Sequence, residues 1–339
     1  MKSIHIAIVG LGRVGRRLAT SLIRHMNLER LTLCTRSYNH GYGFVRELID
    51  SKREINPKLS VDYVRTPSDI MNADWVVLCA SERFKDYRKG NIFLRSNDRL
   101  NEYHANVIVV RSIVHSLVES IDDAKILVVT NPVDLITHYV KYRFPDVEVF
   151  GFGNSVDAKR MMYILHDHYG LRDIEGNAIV FGEHGECMVP ILSQLSKDSI
   201  PLSDFIDPYI LRRQISAESK QAIITEGHTA SITATSLESF FRSILNKRDS
   251  IETFSYYIED YLSVSDVTVG VPFKISKGQI EGPISYALNE IEIEMFQRTT
   301  KKLKLLQNRY RISKEIIKKF KDEEESKELI SMYSRQTTI

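Results

Sequence analysis

Ile4-His-Ile-Ala-Ile-Val9, followed by Gly10-Leu-Gly12-Arg13-Val14-Gly15, is the stretch of this 339-residue chain that decides its fold. The first six residues read as a short buried strand, and the glycine turn after them opens a helical stretch from Val14 to Met26. In that setting each glycine has a task. Gly10 permits the tight turn, Gly12 lets backbone amides approach a pyrophosphate, and Gly15 lets helix pack on strand. Working outward, strand candidates at 31–35, 75–80, 126–130 and 147–151 alternate with helical stretches at 99–120 and 133–143. Strands separated by helices pair in parallel with right-handed crossovers, so the class is α/β, built on a doubly wound parallel sheet.

After Gly153 the pattern changes to longer helices, at 155–169, 208–246 and 285–309, with short strand candidates at 177–181 and 264–275. The expected domains are therefore 1–153, a dinucleotide-binding domain, and 154–312, an α+β substrate and catalytic domain. Residues 313–339, rich in Lys and Glu, are expected as a charged C-terminal helical tail. The formal charge is +2, which gives no electrostatic case for nucleic acid or an acidic membrane as partner. Cys34, Cys79 and Cys187 are odd in number and lack metal-ligand spacing, so neither a disulfide framework nor a metal site is expected. No apolar run approaches the roughly 20 residues that span a bilayer, and no secretory signal is read at the start. The expected location is the cytoplasm.

Two short motifs carry the chemistry. Gly151-Phe-Gly-Asn-Ser-Val-Asp157-Ala-Lys-Arg160 begins a helix that Asn154 or Ser155 would cap and Gly170 would stop, which puts Asp157 and Arg160 on one face at i and i+3. Gly182-Glu183-His184-Gly185 follows the apolar run 178–181, so His184 stands at the mouth of a strand. A histidine paired with a carboxylate is a proton donor and acceptor that works near neutral pH.

These segments, 27 residues apart from Asp157 to His184, resemble the L-lactate/malate dehydrogenase superfamily. The resemblance spans roughly residues 4–310 and implies a Rossmann domain followed by a catalytic domain. It also implies hydride exchange between a nicotinamide cofactor and a 2-oxo or 2-hydroxy acid. His184 would be the acid/base, Asp157 would orient it, and Arg160 would clamp the substrate carboxylate. Arg99, in Arg99-Leu-Asn-Glu-Tyr-His-Ala-Asn106, would polarise the carbonyl, and Asn131, in Asn131-Pro-Val-Asp134, would meet substrate and nicotinamide. Thr229 would line the substrate pocket. Gly10, Gly12, Arg13, Val14, Gly15, Ala80 and Asn131 would hold the cofactor, and relatives of this kind imply a homodimer or homotetramer.

The chain departs from the family pattern twice. Where an Asp or Glu would hold the adenosine ribose hydroxyls of NAD, it has Thr35, followed by Arg36 and Ser37. A cation and two hydroxyls suit a 2′-phosphate, so NADP is expected in preference to NAD. Arg99 comes nineteen residues after Ala80, about nine more than the family pattern, and a loop of that length is commonly a functional lid. Arg88 or Arg95 within it would meet a second acidic group on the substrate. Two alternatives stay open beside a 2-hydroxyacid dehydrogenase. One is a specialised biosynthetic reductase of an unusual, acidic or phosphorylated 2-oxo acid, and the other is a non-catalytic nucleotide-binding sensor.

Overall fold

The first strand, β1 (Ile4–Val9), feeds α1 (Arg13–Leu22), and the alternation continues through β2 (Leu28–Cys34), α2 (Tyr38–Ile55), β3 (Ser60–Val64), β4 (Trp75–Leu78), α3 (Asp98–Leu117), β5 (Lys125–Val128), α4 (Val133–Arg143), β6 (Val149–Phe152) and α5 (Asn154–Asp167). This computed structural model describes residues 4–36, 38–82, 98–121 and 123–311, with side chains described at all of these except 38–40, 98–101 and 309–311. The strands pair in parallel in the order β3-β2-β1-β4-β5-β6.

The apolar runs are explained by burial on both faces of this sheet. Ile6 and Ile8 of β1, Trp75 and Val77 of β4, and Leu127 of β5 point into one core. Their neighbours Ala7, Val9, Val76, Leu78, Ile126 and Val128 point into the other. Trp75 meets the edges of Phe240 and Phe241 at 5.3 and 5.8 Å between ring centroids, so the first core reaches into the later part of the chain. Helix α1 buries Gly15, Leu18, Ala19 and Leu22, a spacing that sets one helical face on the sheet.

The later elements are β7 (Glu175–Gly176), β8 (Val180–Gly182), β9 (Met188–Pro190), β10 (Leu195–Lys197), β11 (Ile200–Pro201), α6 (Pro208–Glu226), α7 (Ala230–Leu245), β12 (Ser250–Ile258), β13 (Val267–Ser276), β14 (Gln279–Pro283) and α8 (Glu290–Arg311). Beyond β6 the sheet continues antiparallel through β12, β13, β8 and β9, with β14 on β13. Strands β11, β10 and β7 form a separate small sheet.

Several expectations need correction. The helix expected over 208–246 is two, because Gly227 adopts a left-handed φ of +71° and closes α6, a conformation that costs glycine little. Helix α2 and strands β3 and β12 are not among the elements expected from the sequence. Strand β12 was legible as Ser250-Ile-Glu-Thr-Phe-Ser-Tyr-Tyr-Ile258, a β-branched and aromatic run, whereas Gly41 and Gly43 blur the helical pattern of α2. Helix α5 has Gly153 at its N-cap and no side-chain cap, so Asn154 and Ser155 lie inside the helix. Gly170 does take the expected left-handed conformation, at φ +67°. The tail, 313–339, lies outside the described residues. No helix among the described residues is long and apolar enough to cross a membrane.

Candidate active site

The glycine turn is built by close approach. A Cβ on Gly10, at φ +104°, would come within 2.5 Å of the Ala80 nitrogen, and one on Gly15 within 2.1 Å of the Gly10 carbonyl oxygen. At Gly12 a Cβ would meet nothing within 4 Å. Gly12 is also the N-cap of α1 and offers no side chain to the first amides of that helix. Open space beside amides without a side-chain cap, at a positive helix end, fits a pyrophosphate. Val14 packs on the core, and Arg13 Nη1 donates to the Gly227 carbonyl at 3.3 Å, tying the turn to the end of α6.

At the end of β2, the Thr35 amide donates to the Val64 carbonyl, and Arg36 Nη2 lies 3.5 Å from Glu82 Oε2. Ser37, Arg88 and Arg95 lie outside the described residues, and Arg99 is described only as backbone in α3. At the end of β5, Thr130 Oγ1 donates to the Leu78 and Ala80 carbonyls, while Asn106 Nδ2 donates to the Asn131 carbonyl at 2.8 Å. Thr229 is the N-cap residue of α7, and its carbonyl accepts from the Thr233 amide and hydroxyl.

The second half of the site gathers at the carboxyl end of β6. The chain turns at Gly153 into α5, which sets Asp157 in the first turn, where the helix dipole favours an acid. The turn after β8 brings His184 to it from across the sheet. Gly182 of β8 pairs with Gly270 of β13, and a Cβ on Gly270 would sit 2.6 Å from Asn154 Cγ. Asn154 Nδ2 donates to the Gly182 carbonyl at 3.1 Å, which fastens the start of α5 to the end of β8.

The result is a chain of charges. Asp157 is 1% exposed, with Oδ2 2.6 Å from His184 Nδ1 and Oδ1 accepting from Arg160 Nη1 at 3.0 Å. His184 keeps 21% of its side chain exposed and Arg160 keeps 8%. One buried carboxylate therefore holds an imidazole and a guanidinium together, with its own charge compensated.

Asp134, Gly153 and the Glu183–Lys302 pair were missed in the sequence. Asp134 Oδ2 accepts from the His184 amide at 3.0 Å and Oδ1 accepts from Ser255 Oγ at 2.6 Å, so a second buried acid fixes the histidine's main chain. Its signal was present as an acid in the first turn of α4, three residues after Asn131. Glu183 Oε2 accepts from the Cys187 amide at 3.2 Å and from Lys302 Nζ at 3.1 Å, pinning the histidine turn to α8. Burial alone would pull the Lys302 ammonium down, but Glu183 and Cys187 beside it raise it above its ordinary value. Burial pushes the Cys34 and Cys79 thiols up to about 12, which leaves neither as a nucleophile at neutral pH. No group of residues suited to a metal occurs among the described residues.

Gly153 is where sterics bear on the site directly, since a Cβ there would lie 2.5 Å from His184 Cγ. Gly153→Ala is expected to push the ring aside while the chain stays folded, and a misplacement near 1 Å costs about a hundredfold in turnover. Steady-state kinetics beside a thermal melt checks this. An Ala variant with wild-type kcat would show that the ring position is not critical.

Residues 4–151 match the family model for the lactate/malate dehydrogenase NAD-binding domain, and residues 155–310 match that for the lactate/malate dehydrogenase alpha/beta C-terminal domain. The L-lactate dehydrogenase of Bacillus velezensis is 29% identical over 311 residues, covering 88% of this chain and 95% of the relative. That of Bacillus caldotenax is 29% identical over 317 residues, covering 90% and 96%. Among solved structures, the malate dehydrogenase of Archaeoglobus fulgidus in complex with NADH superposes with a TM-score of 0.78 at 24% identity, covering 90% of this chain and 99% of that one. The lactate dehydrogenase of Cryptosporidium parvum, complexed with lactic acid and nicotinamide adenine dinucleotide, gives 0.77 at 20% identity, covering 91% and 98%.

Proposed function

The chain belongs to the lactate/malate dehydrogenase family, and from that premise we propose that His184 is its proton donor and acceptor, Asp157 the acid that orients it, and Arg160 the clamp on the substrate carboxylate. Membership makes the protein a nicotinamide-dependent oxidoreductase of 2-hydroxy and 2-oxo acids with a Rossmann fold. The observation that carries the residue roles is the single carboxylate of Asp157, 2.6 Å from His184 Nδ1 and 3.0 Å from Arg160 Nη1.

A bound nicotinamide supplies or accepts the hydride. Reduction leaves negative charge on the carbonyl oxygen, which asks for a proton and for positive charge beside it. With Nδ1 held by Asp157, proton exchange falls to Nε2 of His184. Asp157 orients the ring through Nδ1, and Asp134 holds the main chain of the histidine. Arg160 offers a planar fork that grips both oxygens of a carboxylate, which fixes a 2-oxo group at one distance from Nε2. Arg99 and Asn131 are assigned to polarising the carbonyl and to the nicotinamide side, and Thr229 to the pocket wall, by family resemblance. The cradle over Gly12 and the amides of α1 would hold the pyrophosphate.

The finer cofactor choice is NADP over NAD, supported by the absence of an acid at Thr35 and the cation at Arg36. We divide the chain after Gly153, at the end of the last parallel strand, into nucleotide and substrate domains. A homodimer or homotetramer in the cytoplasm, acting on a small 2-oxo acid, completes the reading. Selection among 2-oxo acids is assigned to the enlarged loop at 81–98, with Arg88 or Arg95 facing a second acidic group.

Absorbance at 340 nm tests this, with NADPH or NADH and a panel of monocarboxylic, dicarboxylic and phosphorylated 2-oxo acids. At least one acid is expected to turn over, with NADPH favoured in kcat/KM. A preference for NADH of about tenfold, or 1.4 kcal/mol, would overturn the cofactor assignment. No turnover with any acid would overturn the catalytic one.

A further inference from the structure

The carboxylate missing just past the end of β2 is supplied from the segment that follows β4. Glu82, four residues beyond the end of β4, reaches across to Arg36, with Oε2 3.5 Å from Nη2. Its place is fixed from behind. The Glu82 amide donates to Asn106 Oδ1 at 2.9 Å, and Asn106, buried at 2% exposure, donates in turn to the Asn131 carbonyl at 2.8 Å. The same segment touches the glycine turn, since Ala80 is the residue that Gly10 approaches. An anchored carboxylate therefore stands at the open end of β2, beside the guanidinium that answers for the missing acid. Both side chains are accessible, at 53% for Arg36 and 38% for Glu82, so a ligand can compete for either.

We infer that Glu82 is a cofactor-selecting residue that acts through Arg36, holding its guanidinium and so weakening the grip on a 2′-phosphorylated nucleotide relative to an unphosphorylated one. The inference rests on the reading of Arg36 as the partner of the 2′-phosphate. A phosphate of charge near −2 must share Arg36 with the carboxylate already beside it or displace it, and while they share it the two like charges lie close together. NAD has no group at this position that needs the guanidinium, so it pays neither cost. Partly exposed ion pairs are individually weak, and removal of the Glu82 charge is worth about fivefold in the preference for the phosphorylated cofactor.

The test is a set of fluorescence titrations that give Kd for NADPH and for NADH, independent of turnover. It uses the wild-type chain, Glu82→Gln, Arg36→Ala and the double variant. Glu82→Gln is expected to raise the ratio Kd(NADH)/Kd(NADPH) about fivefold, and Arg36→Ala to lower it. With Arg36 already removed, Glu82→Gln is expected to change the ratio by under about twofold, because the two act as one unit. Glu82→Ala, which keeps the backbone N–H that donates to Asn106 Oδ1, is expected to repeat the Gln result. If Arg36→Ala lowers the ratio but neither Glu82 variant raises it, the inference is overturned while the reading of Arg36 stands. An equal shift with and without Arg36 also overturns it. If Arg36→Ala leaves the ratio unchanged, the reading beneath the inference is what fails.

Discussion

His184→Asn is expected to lower kcat/KM for 2-oxo acid reduction by about 10²–10⁴-fold, the range that a positioned general acid contributes. Asparagine is the informative replacement because its amide can still donate toward Asp157, as Nδ1 does at 2.6 Å, while Nε2 and its proton are gone. The loss should fall on kcat, since the proton is needed in the transition state and not for binding. Affinity for the nicotinamide cofactor should stay close to wild type, because the Gly10–Gly15 turn and the start of α1 are separate elements. Combining His184→Asn with Asp157→Asn should cost little more than the first change alone, since Asp157 acts through the ring. A loss of less than about tenfold in kcat would sink the role, as would full additivity of the two variants.

How much of this could be read from the chain differs between its parts. The parallel half was legible because each strand is buried on both faces and so is written as a continuous apolar run, as in Ile6–Val9 and Trp75–Leu78. The antiparallel extension was harder. Strand β12 follows directly on α7, and nothing local says that its partner is β6, about a hundred residues earlier. Asp157, Arg160 and His184 were found as residue types in short motifs, and the structure brings them together through contacts no motif contains. Those contacts are Asn154 on Gly182, Gly270 on Asn154, and Asp134 on the His184 amide. Gly153 was visible only as a glycine before a helix, because its function is a distance to a side chain 31 positions away. Glu82 likewise is one charge in a long loop, and only the fold sets it across from Arg36.

Arg160→Lys is the change expected to cost nearly as much as loss of the histidine, and it separates two functions that one residue combines. The guanidinium, on a side chain 8% exposed, donates through Nη1 to Asp157. It has five N–H donors in a fixed plane, so that bond is compatible with a bidentate grip on a carboxylate. Lysine keeps the charge and can still reach Asp157, but it presents a point and not a fork. Loss of one partner from a buried, hydrogen-bonded charge pair costs about 2–5 kcal/mol, which corresponds to a fall in kcat/KM of roughly 30- to 5,000-fold for a 2-oxo acid. Most of the fall should appear as a higher KM, with a smaller loss in kcat from the looser orientation of the carbonyl. The decisive comparison is a 2-oxo acid against its methyl ester, which has no charged carboxylate to clamp. Wild type should discriminate strongly between them and Arg160→Lys weakly, with turnover of the ester within about threefold in the two proteins. If acid and ester lose activity equally, Arg160 serves by holding Asp157 against His184, and the substrate carboxylate is bound elsewhere.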